Sequence, residues 1–184
     1  LVLSLNHLLG RFGFHKSLVT GRATAVVEAT EKEVDLQTIR ALSPTSMSLV
    51  PRVIERMWAT ILGEGENRRH WERIEILDQL RAEKGSLGSG EIQQYGELKI
   101  SLREAVNRSL GGRVKYLSYG GAPMAPRIMR FFEVIGIPLI GGYGITECGG
   151  VSLCGIGENR HGSVGKHFAN VQVRIAEDGE LLLR

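Results

Sequence analysis

A chain of 184 residues with 42% apolar and 23% charged residues has an ordinary globular composition, enough for one good core and part of a second. A net charge of only +3 provides no strong basic field and argues against nucleic acid as a partner. The two cysteines, Cys148 and Cys154, match neither a disulfide framework nor a common zinc spacing, and no apolar run approaches the ~20 residues of a membrane helix. Reduced thiols and the lack of a span predict a cytoplasmic protein, with peripheral contact at a membrane left open. No targeting peptide is visible. The chain has no initiator Met, opens inside the apolar run "LVLSL" and stops within "GELLLR", so it is expected to be a piece of a larger protein.

"LVLSLNH" predicts a short buried strand closed by Asn6 and His7. Leu8, Leu9, Phe12 and Leu18 then fall near helical spacing up to Val19, and Gly21 ends the segment. "ATAVVEA" predicts a β-branched strand, "EVDLQTIRAL" a helix, and "TSMSLVP" a strand stopped by Pro51, which also suits a first helical turn. Strands alternating with helices predict an α/β fold with a parallel sheet covered on both faces. Residues 52–84 carry alternating acids and bases with apolar residues at three- and four-residue steps, predicting a solvated helix pair broken at "GEGEN". Trp58 and Trp71 are expected to anchor its core. "GSLGSGE" reads as a flexible linker, and "LKISLREAVNRSL" as an amphipathic helix closed by Gly111 and Gly112.

The next stretch is the most informative. "VKYLSYGG" predicts a strand ending in Gly120 and Gly121, and "APRIMRFFEVIG" a helix from Pro126 to the stop at Gly136. "IPLIGGYG" predicts a second strand ending in Gly141 and Gly142. This order makes a right-handed βαβ unit, which brings both glycine pairs to one edge of the sheet, where open α/β sheets bind ligands. After Val151, short strands and the Asp178-Gly179 turn predict a β-rich subdomain. Its start near residue 160 divides the chain into an α/β part, residues 1–159, with a helical insertion over 52–112, and a β-rich part, residues 160–184.

"IGGYGITECGG" sets a ring, a hydroxyl and a carboxylate among five glycines, which reads as a loose loop. Glycine lets backbone approach a ring or a phosphate. Tyr143 offers a flat face, Thr146 a hydroxyl for a phosphate oxygen, and Glu147 a carboxylate for Mg²⁺, a hard cation that keeps water and phosphate ligands. On the residues alone, a nucleotide–metal site and a capped turn with a solvated glutamate both remain open.

Several motifs in order resemble the adenylate-forming enzyme superfamily, in particular its long-chain fatty acyl-CoA synthetase branch. "YGITE" is similar to its Tyr-Gly-x-Thr-Glu signature, "GGAP" to its adenine-side loop, "LSLNHLLGRF" to its histidine segment, and "LVPRVIERM" to its Val-Pro-Arg segment. "GSVGK" and "DGELLLR" resemble the start of the following β-rich part. The resemblance implies a ligase that joins a fatty acid to ATP as acyl-AMP with release of pyrophosphate, then passes the acyl group to coenzyme A. It implies that Gly120, Gly121, Ala122 and Pro123 line the adenine side together with Gly142, Tyr143 and Gly144. Thr146 would meet the α-phosphate, Glu147 the Mg²⁺, and His7 the acyl carboxylate. The insertion favours the long-chain branch.

The departures are also informative. The family's Ser/Thr/Gly-rich phosphate loop, ribose-binding aspartate and C-terminal lysine domain are not in the sequence, so the 184 residues alone are expected to have little or no ligase activity. Ser4, Asn6, Cys148 and His167 differ from the family's usual residues, and Cys148 reads as a small filler, since nothing sets a base beside it. A fatty acyl-AMP ligase or the adenylation domain of a carboxylic acid reductase shares the first half-reaction. A non-catalytic nucleotide-binding module is the alternative of another class.

Overall fold

The structure is a computed structural model, and it describes residues 8–27, 35–158, 160 and 162–184. The strand expected over residues 1–7, with His7, lies outside them. Helix α1, Leu8–Val19, forms where its periodicity predicts. It ends as the Thr20 hydroxyl donates to the Lys16 carbonyl at 2.7 Å and Gly21 takes φ +63°.

The strand expected from "ATAVVEA" is not observed: residues 22–27 have no regular structure, and the rest of the motif lies outside the described residues. β-Branched composition is only a local preference, and a strand exists through its ladder to a neighbour. No ladder among the described residues joins 22–27 to the sheet.

Helix α2, Leu36–Leu42, is capped by Asp35, whose carboxylate accepts the Gln37 N–H at 2.9 Å. Strand β1, Ser46–Leu49, leads into α3, Pro51–Leu62, with Pro51 in its first turn. The helix pair is completed by α4, Glu66–Lys84. Helix α5, Ser89–Ser109, begins well before the expected Leu98, because Glu91 reaches back to accept the Gly88 N–H at 2.8 Å. The linker shrinks accordingly.

Strand β2, Tyr116–Tyr119, helix α6, Pro126–Val134, and strand β3, Leu139–Ile145, form the βαβ unit. Strands β1, β2 and β3 are parallel neighbours. The sheet then turns antiparallel through β4, Gly149–Leu153, and β5, Lys166–His167. The sheet thus extends past residue 160. A separate antiparallel pair, β6, Val173–Ile175, and β7, Leu181–Leu183, closes around Asp178-Gly179, where Gly179 has φ +88°.

The parallel strands have two unlike faces. Met47, Leu49, Leu117, Tyr119 and Leu139 are buried and join the core of α3–α6. Phe131 of α6 is the centre of that core. Its ring meets Trp71 at 5.1 Å, Phe132 at 5.3 Å and Trp58 at 6.3 Å, all close to perpendicular. Both tryptophans therefore anchor the core, as their place in the helix pattern predicts.

Around these rings, Arg127 grips Glu75 through bonds of 2.7 and 2.6 Å. Arg130 reaches Asp78 at 3.0 Å and the Tyr95 hydroxyl at 3.2 Å. Arg103 donates to the Ile135 and Gly136 carbonyls at 3.0 and 2.9 Å. Among the described residues, no helix is long and apolar enough to cross a membrane.

Exposed ion pairs contribute about 0–1 kcal/mol each, whereas emptying a buried aromatic site costs about 3–5 kcal/mol. In urea unfolding, Phe131→Ala should therefore lose about 3–5 kcal/mol and Arg127→Ala no more than about 1 kcal/mol. The reverse order would shift the weight to the ionic clasp.

Candidate functional site

Parallel pairing sets Ser48 opposite Ser118, and Ser118 opposite Ile140, on the face turned away from the helical core. The two serine hydroxyls are 2.8 Å apart. Just beyond this row, Gly120 and Gly121 follow β2, while Gly142, Tyr143 and Gly144 continue β3. These five residues share a cavity of about 130 Å³, whose other walls include Leu8, Phe12, Ile140, Leu153 and Phe168. The two glycine segments thus meet at one cavity, as the βαβ reading predicts.

Other candidate residues lie elsewhere. Ala122 and Pro123 are exposed beyond Gly121, and Thr146 and Glu147 are exposed at the hairpin tip beside Cys148. None of these four lines the cavity. His7 is outside the described residues.

The loose-loop reading of "IGGYGITECGG" is corrected. Residues 141–145 are strand, paired with β4 on the far side, and only residues 146–148 form the turn. The Cys154 N–H donates to the Gly141 carbonyl at 2.8 Å and closes the ladder's end. Close approach explains two of the glycines. A Cβ on Gly144 would lie 2.5 Å from the Gly149 carbonyl oxygen, and one on Gly141 would lie 2.7 Å from the Tyr119 hydroxyl. Close backbone pairing at Gly144 and the Tyr119 ring lying over Gly141, rather than a need for a mobile tether, account for glycine at both positions.

Sequence reasoning missed a second, larger cavity of about 760 Å³ between α1, residues 22–27 and the β1 edge. Gly13, Lys16, Ser48, Tyr116 and Ser118 line both cavities. Lys16 Nζ lies 5.9 Å from the Tyr116 ring centre, and Arg22 Nη1 donates to the Tyr116 hydroxyl at 3.4 Å. A hydrogen bond from Ser46, aided by Lys16 and Arg22, holds the Tyr116 phenol below its ordinary pKa against the opposing effect of burial. The signal was available in the alternation of "SMSL" and "YLSY", which gives each strand one apolar and one hydroxyl-bearing face.

The chemistry of the hairpin tip suits Mg²⁺. Among the described residues, no three or more His, Cys, Asp or Glu side chains gather into a protein-only metal site. The single exposed carboxylate of Glu147 fits a cation that completes its shell with water and phosphate oxygens.

The AMP-binding enzyme family matches residues 1–183, and the chain belongs to that family. A long-chain-fatty-acid–CoA ligase of Mycobacterium bovis is 27% identical over 193 aligned residues, which take in 99% of this chain and 31% of the relative. The human long-chain-fatty-acid–CoA ligase 1 is 31% identical over 78% of this chain and 20% of its own length. A carboxylic acid reductase of Segniliparus rugosus is 31% identical over 81% of this chain and 11% of that protein. The chain therefore spans a third or less of these relatives.

Two solved structures share the fold. The N-terminal domain of FACL13 from Mycobacterium tuberculosis superposes with a TM-score of 0.61 at 16% identity, over 99% of this chain and 36% of that one. The O-succinylbenzoate coenzyme A synthetase of Bacillus subtilis, in complex with ATP and magnesium ion, gives 0.59 at 17% identity, over 99% and 29%. Together with the family match, they define an α/β domain of the AMP-binding enzyme family.

Two measurements test this geometry. Gly144→Ala, which forces a methyl against backbone, should destabilise the hairpin by about 1–3 kcal/mol. Gly142→Ala should cost less, because its added Cβ meets the movable end of Leu153 at 3.1 Å; equal costs in thermal unfolding would contradict the packing described. Iodoacetamide should modify exposed Cys148 ahead of Cys154, which is buried and whose thiol pKa is raised by that burial. Earlier labelling of Cys154 would show that the end of β4 opens readily.

Proposed function

We propose that this chain is the central part of an ATP-dependent, AMP-forming fatty acid–CoA ligase. The observation that carries the reading is the shared cavity. Two glycine segments meet there beside a mostly apolar wall of Leu8, Phe12, Ile140, Leu153 and Phe168. Such a wall suits an acyl chain whose carboxylate lies near the glycine-lined end. Membership of the AMP-binding family and relatives named as long-chain fatty acid–CoA ligases support the same reading.

In this proposal Gly120, Gly121, Ala122 and Pro123 border the adenine, with Gly142, Tyr143 and Gly144 against it. Thr146 donates to the α-phosphate, and Glu147 holds Mg²⁺. When bound, Mg²⁺ neutralises phosphate charge, so that an anionic carboxylate can approach phosphorus. The donors of this chain complement that effect where negative charge gathers. His7 orients the acyl carboxylate. Residues 1–159 form the nucleotide-binding part with its insertion over 52–112, and residues 160–184 open the β-rich subdomain. Coenzyme A accepts the acyl group. A cytoplasmic setting, with peripheral contact at a membrane, suits such an acid.

A second reading is favoured by the similarity to a carboxylic acid reductase. There the adenylate would pass to a carrier-protein thiol. Thiol-dependent AMP release by the full-length protein, with coenzyme A against a carrier protein, separates the two.

In the full-length protein, Glu147→Ala should lower Mg²⁺-dependent pyrophosphate release from ATP and a fatty acid by about a hundredfold or more. Unchanged turnover would place the metal away from Glu147, and no turnover by the full-length protein would favour a non-catalytic nucleotide-binding module. The isolated 184 residues should form little or no acyl-AMP, which a pyrophosphate-release assay reads directly.

A further inference from the structure

The larger cavity has a chemistry that an alkyl chain does not require. Lys16, Arg22, Arg113 and Lys115 line it, and among the described residues no aspartate or glutamate does. None of these four cations takes part in an ion pair among the described residues. Ser46, Ser48, Tyr116 and Ser118 add polar residues to the same lining. Four cations with no counter-charge among the described residues make a region of positive potential, favourable to an anion and costly to fill with hydrocarbon alone.

The position of this chamber matters as much as its charge. It adjoins the smaller apolar cavity through a common wall of Gly13, Lys16, Ser48, Tyr116 and Ser118. A chain that starts at the glycine-lined end and runs along Phe12 and Ile140 therefore passes Lys16 and Tyr116 before entering the chamber. Arg22 donates to the Tyr116 hydroxyl and Lys16 lies over the Tyr116 ring, in the wall common to the two spaces. The Ser48–Ser118 pair, at 2.8 Å, adds a polar floor in the same place.

The geometry points to a substrate with two acidic ends: the acid that is activated at the glycine loops carries a second, distal carboxylate, read by Lys16 and Arg22. This rests on the ligase reading above and narrows its substrate class to α,ω-dicarboxylic or similarly acid-tipped chains. A charge-assisted hydrogen bond from Arg22 or Lys16 stabilises a carboxylate more than a neutral contact would, and a terminal methyl in the same place gains nothing from it. Lys16 and Arg22 would act on specificity and take no part in the chemical step.

The test uses the full-length protein and matched series of monocarboxylic and α,ω-dicarboxylic acids of equal length. Two readouts are taken: kcat/KM for pyrophosphate release, and calorimetric binding without ATP. At one or more lengths the diacid should be favoured roughly five- to tenfold in both, and added salt should shrink the margin. Arg22→Met and Lys16→Met should erase the preference, while Arg22→Lys should keep it. Circular dichroism checks that each variant folds. Monoacids favoured at every length, or a diacid ratio unchanged in both folded Met variants, would overturn the proposal. So would an Arg22 effect confined to KM for coenzyme A, since the chamber would then read a phosphate. If no acid releases pyrophosphate, the ligase reading falls, and the calorimetric ratio alone still decides the chamber: equal binding of mono- and diacids overturns it.

Discussion

Strand β3 is held so closely on both edges that side chains cannot stand at two of its positions. On one edge the Tyr119 hydroxyl would lie 2.7 Å from any Cβ on Gly141, and on the other the Gly149 carbonyl would lie 2.5 Å from one on Gly144. This strand joins the parallel half of the sheet to the antiparallel half. A side chain at Gly144 would press on the β4 backbone, and one at Gly141 would displace the Tyr119 ring, in both cases beside the cavity. The glycines serve the sheet first, and the same absence of side chains leaves backbone open to a ligand on the cavity side.

The two faces of that sheet divide the work. One face carries Met47, Leu117 and Leu139 into an aromatic core, where Phe131 ties α6 to the inserted helices through Trp58 and Trp71. Burial of large rings provides most of that cohesion, and the Arg127–Glu75 and Arg130–Asp78 clasps fix the angle at which the insertion sits. The other face carries Ser46, Ser48, Tyr116 and Ser118 toward α1. A rigid, dry side thus supports a polar side that has room for a ligand. Chemistry on one face depends on packing on the other.

The fold is shared with two solved structures at 16–17% identity. Little of such a fold depends on particular side chains beyond their period and size. The points that do depend on identity are backbone approaches, such as Gly141 and Gly144, and the groups that meet substrate. Glu147 and Thr146 are exposed at the turn, and in the proposed reading they belong to the second kind.

Much of the molecule was legible in the chain. Helical spacing and stop residues located α1, α2, the broken pair and α6, because those signals are local and every turn repeats them. The βαβ order by itself places the glycine pairs Gly120–Gly121 and Gly141–Gly142 at one edge of the sheet. Three features were decided by tertiary structure. Residues 22–27 lack a strand despite a β-branched sequence, since no described neighbour supplies a ladder. The glycine-rich stretch is a paired strand instead of a loop, because β4 folds back along it. The charged chamber exists only where α1, β1 and β2 face one another, and Tyr116 is too far in sequence from Lys16 and Arg22 for the three to announce a site. Local preference is written residue by residue, whereas partners for strands and charges are set by distant segments, and those meet only when the chain packs.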